Sequence, residues 1–144
     1  EGWGLYSERI AAEDMGMYKD DPLGDLGRLQ AEMFRAVRLV VDTGMHAKRW
    51  SRERAIEYML SKTGMTEAEV TREIERYVVW PGQARAYKVG QLYMLRLRAM
   101  AENQLSDAFD IREFHEMILM NGAMPLEILE ESVESWVETQ KALL

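Results

Sequence analysis

Apolar residues recur every three or four positions along most of this chain, and nowhere do they alternate as a half-buried strand requires. The pattern predicts seven helices. Trp3, Tyr6 and Ile10 mark the first, from Glu1 to about Met17, and Lys19-Asp20-Asp21-Pro22 breaks it. Leu26, Leu29, Met33, Val37 and Val40 mark the second, from about Asp25 to about Thr43, with Gly44 free to take the left-handed conformation that closes many helices. Ser51 suits the N-cap of a third helix through Ile56, Met59 and Leu60, stopped by Gly64. Thr66 and Glu69 have capping-box spacing ahead of Val70, Ile74 and Tyr77. Trp80-Pro81-Gly82 ends that fourth helix, and Pro81 suits the first turn of a fifth that runs to about Gln104. Asp110 with Glu113 opens a sixth, closed by Asn121-Gly122, and Pro125 opens a seventh carrying Leu126, Leu129, Val133, Trp136 and Val137. The stripes read as core rather than as a cofactor box. The expected architecture is all-α, a single helical domain over residues 1–144 with no repeat or low-complexity stretch.

Charge and composition narrow the functions. The chain is 47% apolar and 30% charged, enough to bury a core. Lys plus Arg is 18 against 25 for Asp plus Glu, a net charge of −7, which argues against a general grip on nucleic acid or anionic lipid. Cysteine is absent, so disulfide scaffolds, thiolate metal sites and cysteine nucleophiles are excluded. The longest apolar runs are about four or five residues, far short of the roughly 20 that span a bilayer. The chain opens Glu1-Gly2-Trp3 without an initiator Met, and reads as a piece of a larger protein.

The motifs for common chemistries fail. His115-Glu116 would begin a His-Glu-x-x-His zinc helix, but the residue four beyond His115 is Leu119. A di-iron bundle needs Glu three residues before His, and those positions hold Thr43 and Arg112. The basic cluster Lys48, Arg49, Arg52 and Arg54 reads as a solvated face of an acidic chain.

Two constellations remain. Arg38, Asp42 and His46 are spaced by four and lie on one line if the helix continues past Gly44. Leu39, Val40, Val41 and Met45 surround them, so the charges sit in an apolar stretch and need partners. Either Arg38 and Asp42 form an ion pair at helical spacing, or the three residues line a cleft with His46 at its mouth. The second constellation is the stretch from Trp80 to Gly90. Gln83, Tyr87 and Gln91 would share a face there, and Gly90 permits close helix contact. It serves either as a helix N-terminus suited to a carboxylate or as a tight interhelical junction.

The same segments carry a family resemblance. Glu1-Gly2-Trp3-Gly4-Leu5-Tyr6-Ser7-Glu8 resembles the Glu-Gly-Trp block of a large bacterial family known as domain of unknown function 885. Arg35 to His46, Pro81-Gly82-Gln83-Ala84 to Tyr87-Lys88-Val89-Gly90, and Phe109 to His115 resemble its later blocks in the same order. Arg85 departs from the small or apolar residue usual at its position.

The resemblance implies more than spacing does. Family members look like gluzincin-type zinc metallopeptidases on a helical scaffold, with a His-Glu-x-x-x-Gly-His-His region upstream of the Glu-Gly-Trp block. By that analogy this chain is the C-terminal part of a zinc-dependent, peptidase-like hydrolase acting on peptide or amide bonds. Glu1 matches a zinc ligand, usable only with the upstream histidines, which the chain lacks. The resemblance-bearing blocks further suggest His46 and Tyr87 as transition-state donors, and Arg38, Asp42 and Gln83 as substrate-binding residues. The expected cofactor is zinc in the full-length protein and none in these residues alone, which should be inactive. The expected partners are the substrate, the N-terminal half, and a second copy through an exposed apolar face, with no nucleic acid and no membrane span. The competing expectation is a non-catalytic helical binding or structural domain.

Overall fold

The computed structural model describes all 144 residues, Glu1–Leu144. Its elements are α1 (Gly2–Glu13), α2 (Pro22–Lys48), α3 (Arg52–Lys62), α4 (Glu67–Val79), a 3-10 turn (Gln83–Arg85), α5 (Ala86–Leu105), a second 3-10 turn (Ser106–Ala108), α6 (Ile111–Met120) and α7 (Leu126–Ala142). The protein is all-α with seven helices, as the periodicity predicts. It divides into two compact units, Glu1–Gln91 and Leu92–Leu144. No helix is long and apolar enough to cross a membrane.

Local capping chemistry sets several boundaries. Ser51 Oγ accepts from the Arg54 N–H at 3.2 Å and starts α3. Thr66 and Glu69 form the complete capping box of α4, and Asp110 caps α6 by accepting from the Arg112 N–H at 2.7 Å. Other boundaries differ from the sequence reading. Gly16 turns left-handed at φ 65°, and the Met17 N–H reaches back to the Ala11 carbonyl at 3.0 Å, so α1 stops at Glu13 instead of near Met17. Pro22 begins α2 rather than merely breaking α1, because Asp21 caps the Gly24 N–H at 2.9 Å.

The largest difference is at Gly44, which does not end α2. The helix runs through it to Lys48 and closes at Arg49, which adopts φ 55°. Trp50 folds back onto the glycine: its N–H bonds the Gly44 carbonyl at 2.9 Å, and a Cβ at Gly44 would stand 2.6 Å from the indole. The glycine makes room for a ring and is not a helix stop.

In the first unit, Val37 and Val41 of α2 pack with Ala55 and Met59 of α3 and Val70, Ile74 and Tyr77 of α4. Leu5 and Tyr6 of α1 are buried as well. The expected α2 stripe is only partly core, since Leu26, Leu29, Met33 and Val40 are exposed while Val37, Arg38, Val41 and Asp42 are buried. Packing chose the face of α2 that carries Arg38 and Asp42. In the second unit α6 packs on α7, with Phe114 and Trp136 rings 6.1 Å apart. Tyr93 and Arg96 of α5 both donate to Glu130 of α7, at 3.0 and 2.6 Å.

Candidate functional site

The candidate site lies wholly in the first unit, and a close helix crossing positions its outermost residue. Gly2 of α1 meets Gly90 of α5 backbone to backbone, so a Cβ on Gly90 would lie 2.6 Å from the Gly2 Cα. Beside this contact the buried Gln91 amide donates to the Leu5 carbonyl at 3.2 Å. Lys88 Nζ donates to Glu32 of α2 and to the side-chain Oε1 of Gln91, each at 2.7 Å. The crossing brings Glu1 to the turn before α5, where its carboxylate accepts from Gln83 Nε2 at 3.2 Å.

Asp42 builds that turn. Its side chain is buried, 1% exposed, and accepts from the Gly82 N–H at 2.9 Å while pairing with Arg85 Nε at 3.2 Å. Gly82 supplies the required φ of 88°. The result corrects two expectations. Asp42 does not pair with Arg38, since Arg85 is its counter-ion. The fifth helix begins at Ala86 instead of Pro81, because residues Gln83–Arg85 form a 3-10 turn over the Asp42 carboxylate. The N–H of Gly82, which a bare helix start would offer to a ligand, is already taken.

Arg38 is buried at 4% exposure and donates Nη2 to Gln83 Oε1 at 3.2 Å. Its guanidinium packs against three rings, with centroids at 5.5 Å for Phe34, 5.4 Å for Tyr77 and 5.2 Å for Tyr87. Such stacking favours a cation in a poorly solvated place. Gln83 Oε1 also accepts from Arg76 Nη1 at 3.3 Å, and Arg76 pairs with Glu73 at 2.7 Å. Gln83 thus gathers two guanidinium donors at its oxygen and gives its amide proton to Glu1. Tyr77 donates its hydroxyl to Glu73. Burial, with the Glu73 carboxylate beside it, pushes the Tyr77 phenol well above its ordinary value. Burial opposes the charge on Glu73, yet the hydrogen bonds from Arg76 and Tyr77 outweigh it and hold that carboxyl below the usual range.

The structure therefore joins Glu1, Gln83, Arg38 and Tyr87 in one contact network, with Asp42 anchored one residue before Gln83. His46 stands apart. It is exposed near the end of α2, two turns beyond Arg38, and its Nε2 is 2.9 Å from the Tyr77 carbonyl. That bond puts the proton of a neutral ring on Nε2 and ties α2 to α4. Sequence reasoning passed over Arg35, Glu73 and Arg76. For Arg35 a signal existed, since it lies three residues before Arg38 on the same apolar helix. Nothing local marks Glu73 or Arg76.

Glu1 offers one oxygen donor of a kind zinc accepts, but nowhere does a group of three His, Asp or Glu side chains stand close enough to hold a metal. A zinc site would need ligands from outside these residues.

A family model described as bacterial protein of unknown function (DUF885) matches residues 1–133. Among solved structures, a "putative lipoprotein" from Colwellia psychrerythraea matches with a TM-score of 0.93 and 57% identity, over 96% of this chain and 24% of that one. The present chain thus spans about a quarter of that relative's length. A search of the curated proteins finds no match.

Proposed function

We propose, since this chain belongs to the DUF885 family of bacterial proteins, that its Glu1–Gln83–Arg38 network is one wall of the cleft of a zinc-dependent, peptidase-like hydrolase. The observation that carries the reading is the position of Gln83, which bonds the Glu1 carboxylate and the buried Arg38 guanidinium through the two ends of one amide. A carboxylate offered as a metal ligand and a cation offered to an anionic substrate are thereby held side by side without neutralising each other. Zinc, where bound by Glu1 and ligands from outside these residues, supplies a Lewis acid and an acidified water. The chain's own residues do the rest. Arg38 receives a substrate carboxylate, because a guanidinium matches that group with two parallel donors. Tyr87 presents a hydroxyl with no partner in the protein to the oxygen that gains charge. Asp42 fixes the turn that carries Gln83.

A non-catalytic binding domain is the second reading, favoured by the burial of Arg38, which suits a purely architectural cation. Glu1→Gln in the full-length protein separates the two. The hydrolase reading expects loss of bound zinc and of peptide cleavage, with folding unchanged. Zinc content and turnover equal to the parent would refute it.

A further inference from the structure

The chain contains 13 arginines, and eight of them pair with a carboxylate. Of the other five, Arg49, Arg54 and Arg72 are exposed to solvent. Arg35 and Arg38 are not exposed, neither meets a carboxylate, and the Nε of each is buried without a hydrogen-bond partner. In a chain with 25 acidic residues this is anomalous, because leaving cations desolvated and unpaired is costly and acidic partners abound.

The two guanidiniums also share their surroundings. Their centres lie 5.1 and 5.2 Å from the Tyr87 ring centroid, and 5.2 and 5.5 Å from that of Phe34. The rings favour cations but bring no countercharge. Two positive charges spaced by three residues on α2, packed on the same rings and with no carboxylate in direct contact, are suited to receive an anion.

We infer that Arg35 and Arg38 together hold a dianionic terminus: the α-carboxylate and side-chain carboxylate of an acidic residue at the free C-terminus of a peptide. This rests on the hydrolase reading and names its substrate class. Arg38 takes the α-carboxylate. Arg35, one helical turn earlier, takes the side-chain carboxylate and sets specificity. The Phe34 and Tyr87 rings lie against the methylene stem between them.

The test is calorimetric titration of the full-length protein, stripped of metal by a chelator, with N-acetyl-L-glutamate and with N-acetyl-L-glutamine. The acid should bind roughly tenfold more tightly, the increment expected of one added charge-assisted pair. Arg35→Gln should abolish that preference, weakening the glutamate analogue by about tenfold more than the glutamine analogue, and Arg35→Lys should restore part of it. Arg38→Lys should weaken both ligands. Equal affinities in the parent, a preference that survives Arg35→Gln, or inorganic phosphate binding as tightly as N-acetyl-L-glutamate would each overturn the inference. Binding here needs neither metal nor turnover, so a protein that holds no zinc and cleaves nothing refutes the hydrolase reading without touching this result.

Discussion

Gly90→Ala tests whether the crossing of α1 and α5 positions Glu1. The added Cβ would stand 2.6 Å from the Gly2 Cα, where ordinary carbon contacts lie near 3.5–4.0 Å, so one backbone must move by about 1 Å. A backbone atom has no rotamer to escape into, which puts the strain at or above the upper end of the about 1–3 kcal/mol typical of overpacking. Replacing glycine within a helix returns about 1 kcal/mol of propensity. The net expectation is a loss of about 2 kcal/mol, with α1 lifted far enough to break the 3.2 Å bond from Gln83 to Glu1. Gly4→Ala is the control. That glycine lies on α1 with nothing within 4 Å of an added methyl, so the propensity gain of up to about 1 kcal/mol should appear alone. Urea denaturation of both variants gives the comparison. Two variants shifted in the same direction, or a Gly90→Ala protein as stable as its parent, would show that the crossing is not tight.

Asp42→Ala removes the acceptor of the Gly82 N–H and the partner of Arg85, and should cost about 2–3 kcal/mol in urea denaturation. Arg85→Ala, at a side chain 46% exposed, should cost no more than about 1 kcal/mol, and an equal loss from both would contradict this account. Burial opposes the charges on Glu32 and Glu73, but hydrogen bonds from Lys88, and from Arg76 and Tyr77, hold both carboxyls below the ordinary 4.5. Their contribution is therefore complete above that pH and lost as acid protonates them, so stability should fall below about pH 4.5, less steeply in Glu73→Gln; identical pH profiles would exclude Glu73 as a source. Tyr87→Phe removes a hydroxyl with no protein partner, so stability should stay within about 0.5 kcal/mol. In the full-length protein kcat should fall by about 10²-fold with KM little changed, and an unaffected kcat would remove Tyr87 from the chemistry.

What the sequence makes legible follows from the range of the forces involved. Helix starts at Ser51, Thr66 and Asp110 depend on side chains bonding backbone three residues away or fewer, so they can be read in place. Gly44 is misleading because its role depends on the ring of Trp50, which local rules do not place. Periodicity identifies α2 as a helix but misjudges its buried face, since the side carrying Arg38 and Asp42 packs inward while Leu26 and Leu29 face out. The site is half visible for the same reason. Charges set among apolar residues mark Arg38 and Asp42 as needing partners, yet those partners, Gln83 and Arg85, come from a turn some forty positions away. The sequence marks Arg35 only by its spacing from Arg38, because what distinguishes it, a buried Nε without a partner, exists only in the fold.

The polar contacts of α2 also act as an alignment code. Ascending the helix, Glu32 bonds Lys88, Arg38 bonds Gln83, Asp42 bonds Gly82 and His46 bonds the Tyr77 carbonyl. Donor and acceptor types alternate along this order, while the partner numbers descend, so the segment from Tyr77 to Lys88 is matched antiparallel to α2 at four unevenly spaced points. Apolar packing alone would tolerate a slip by one helical turn, since one aliphatic side chain replaces another at modest cost. Such a slip here would misalign all four polar matches together. The segment that presents Gln83 and Tyr87 is thus addressed to a single register along α2, and wrong registers are rejected as a set.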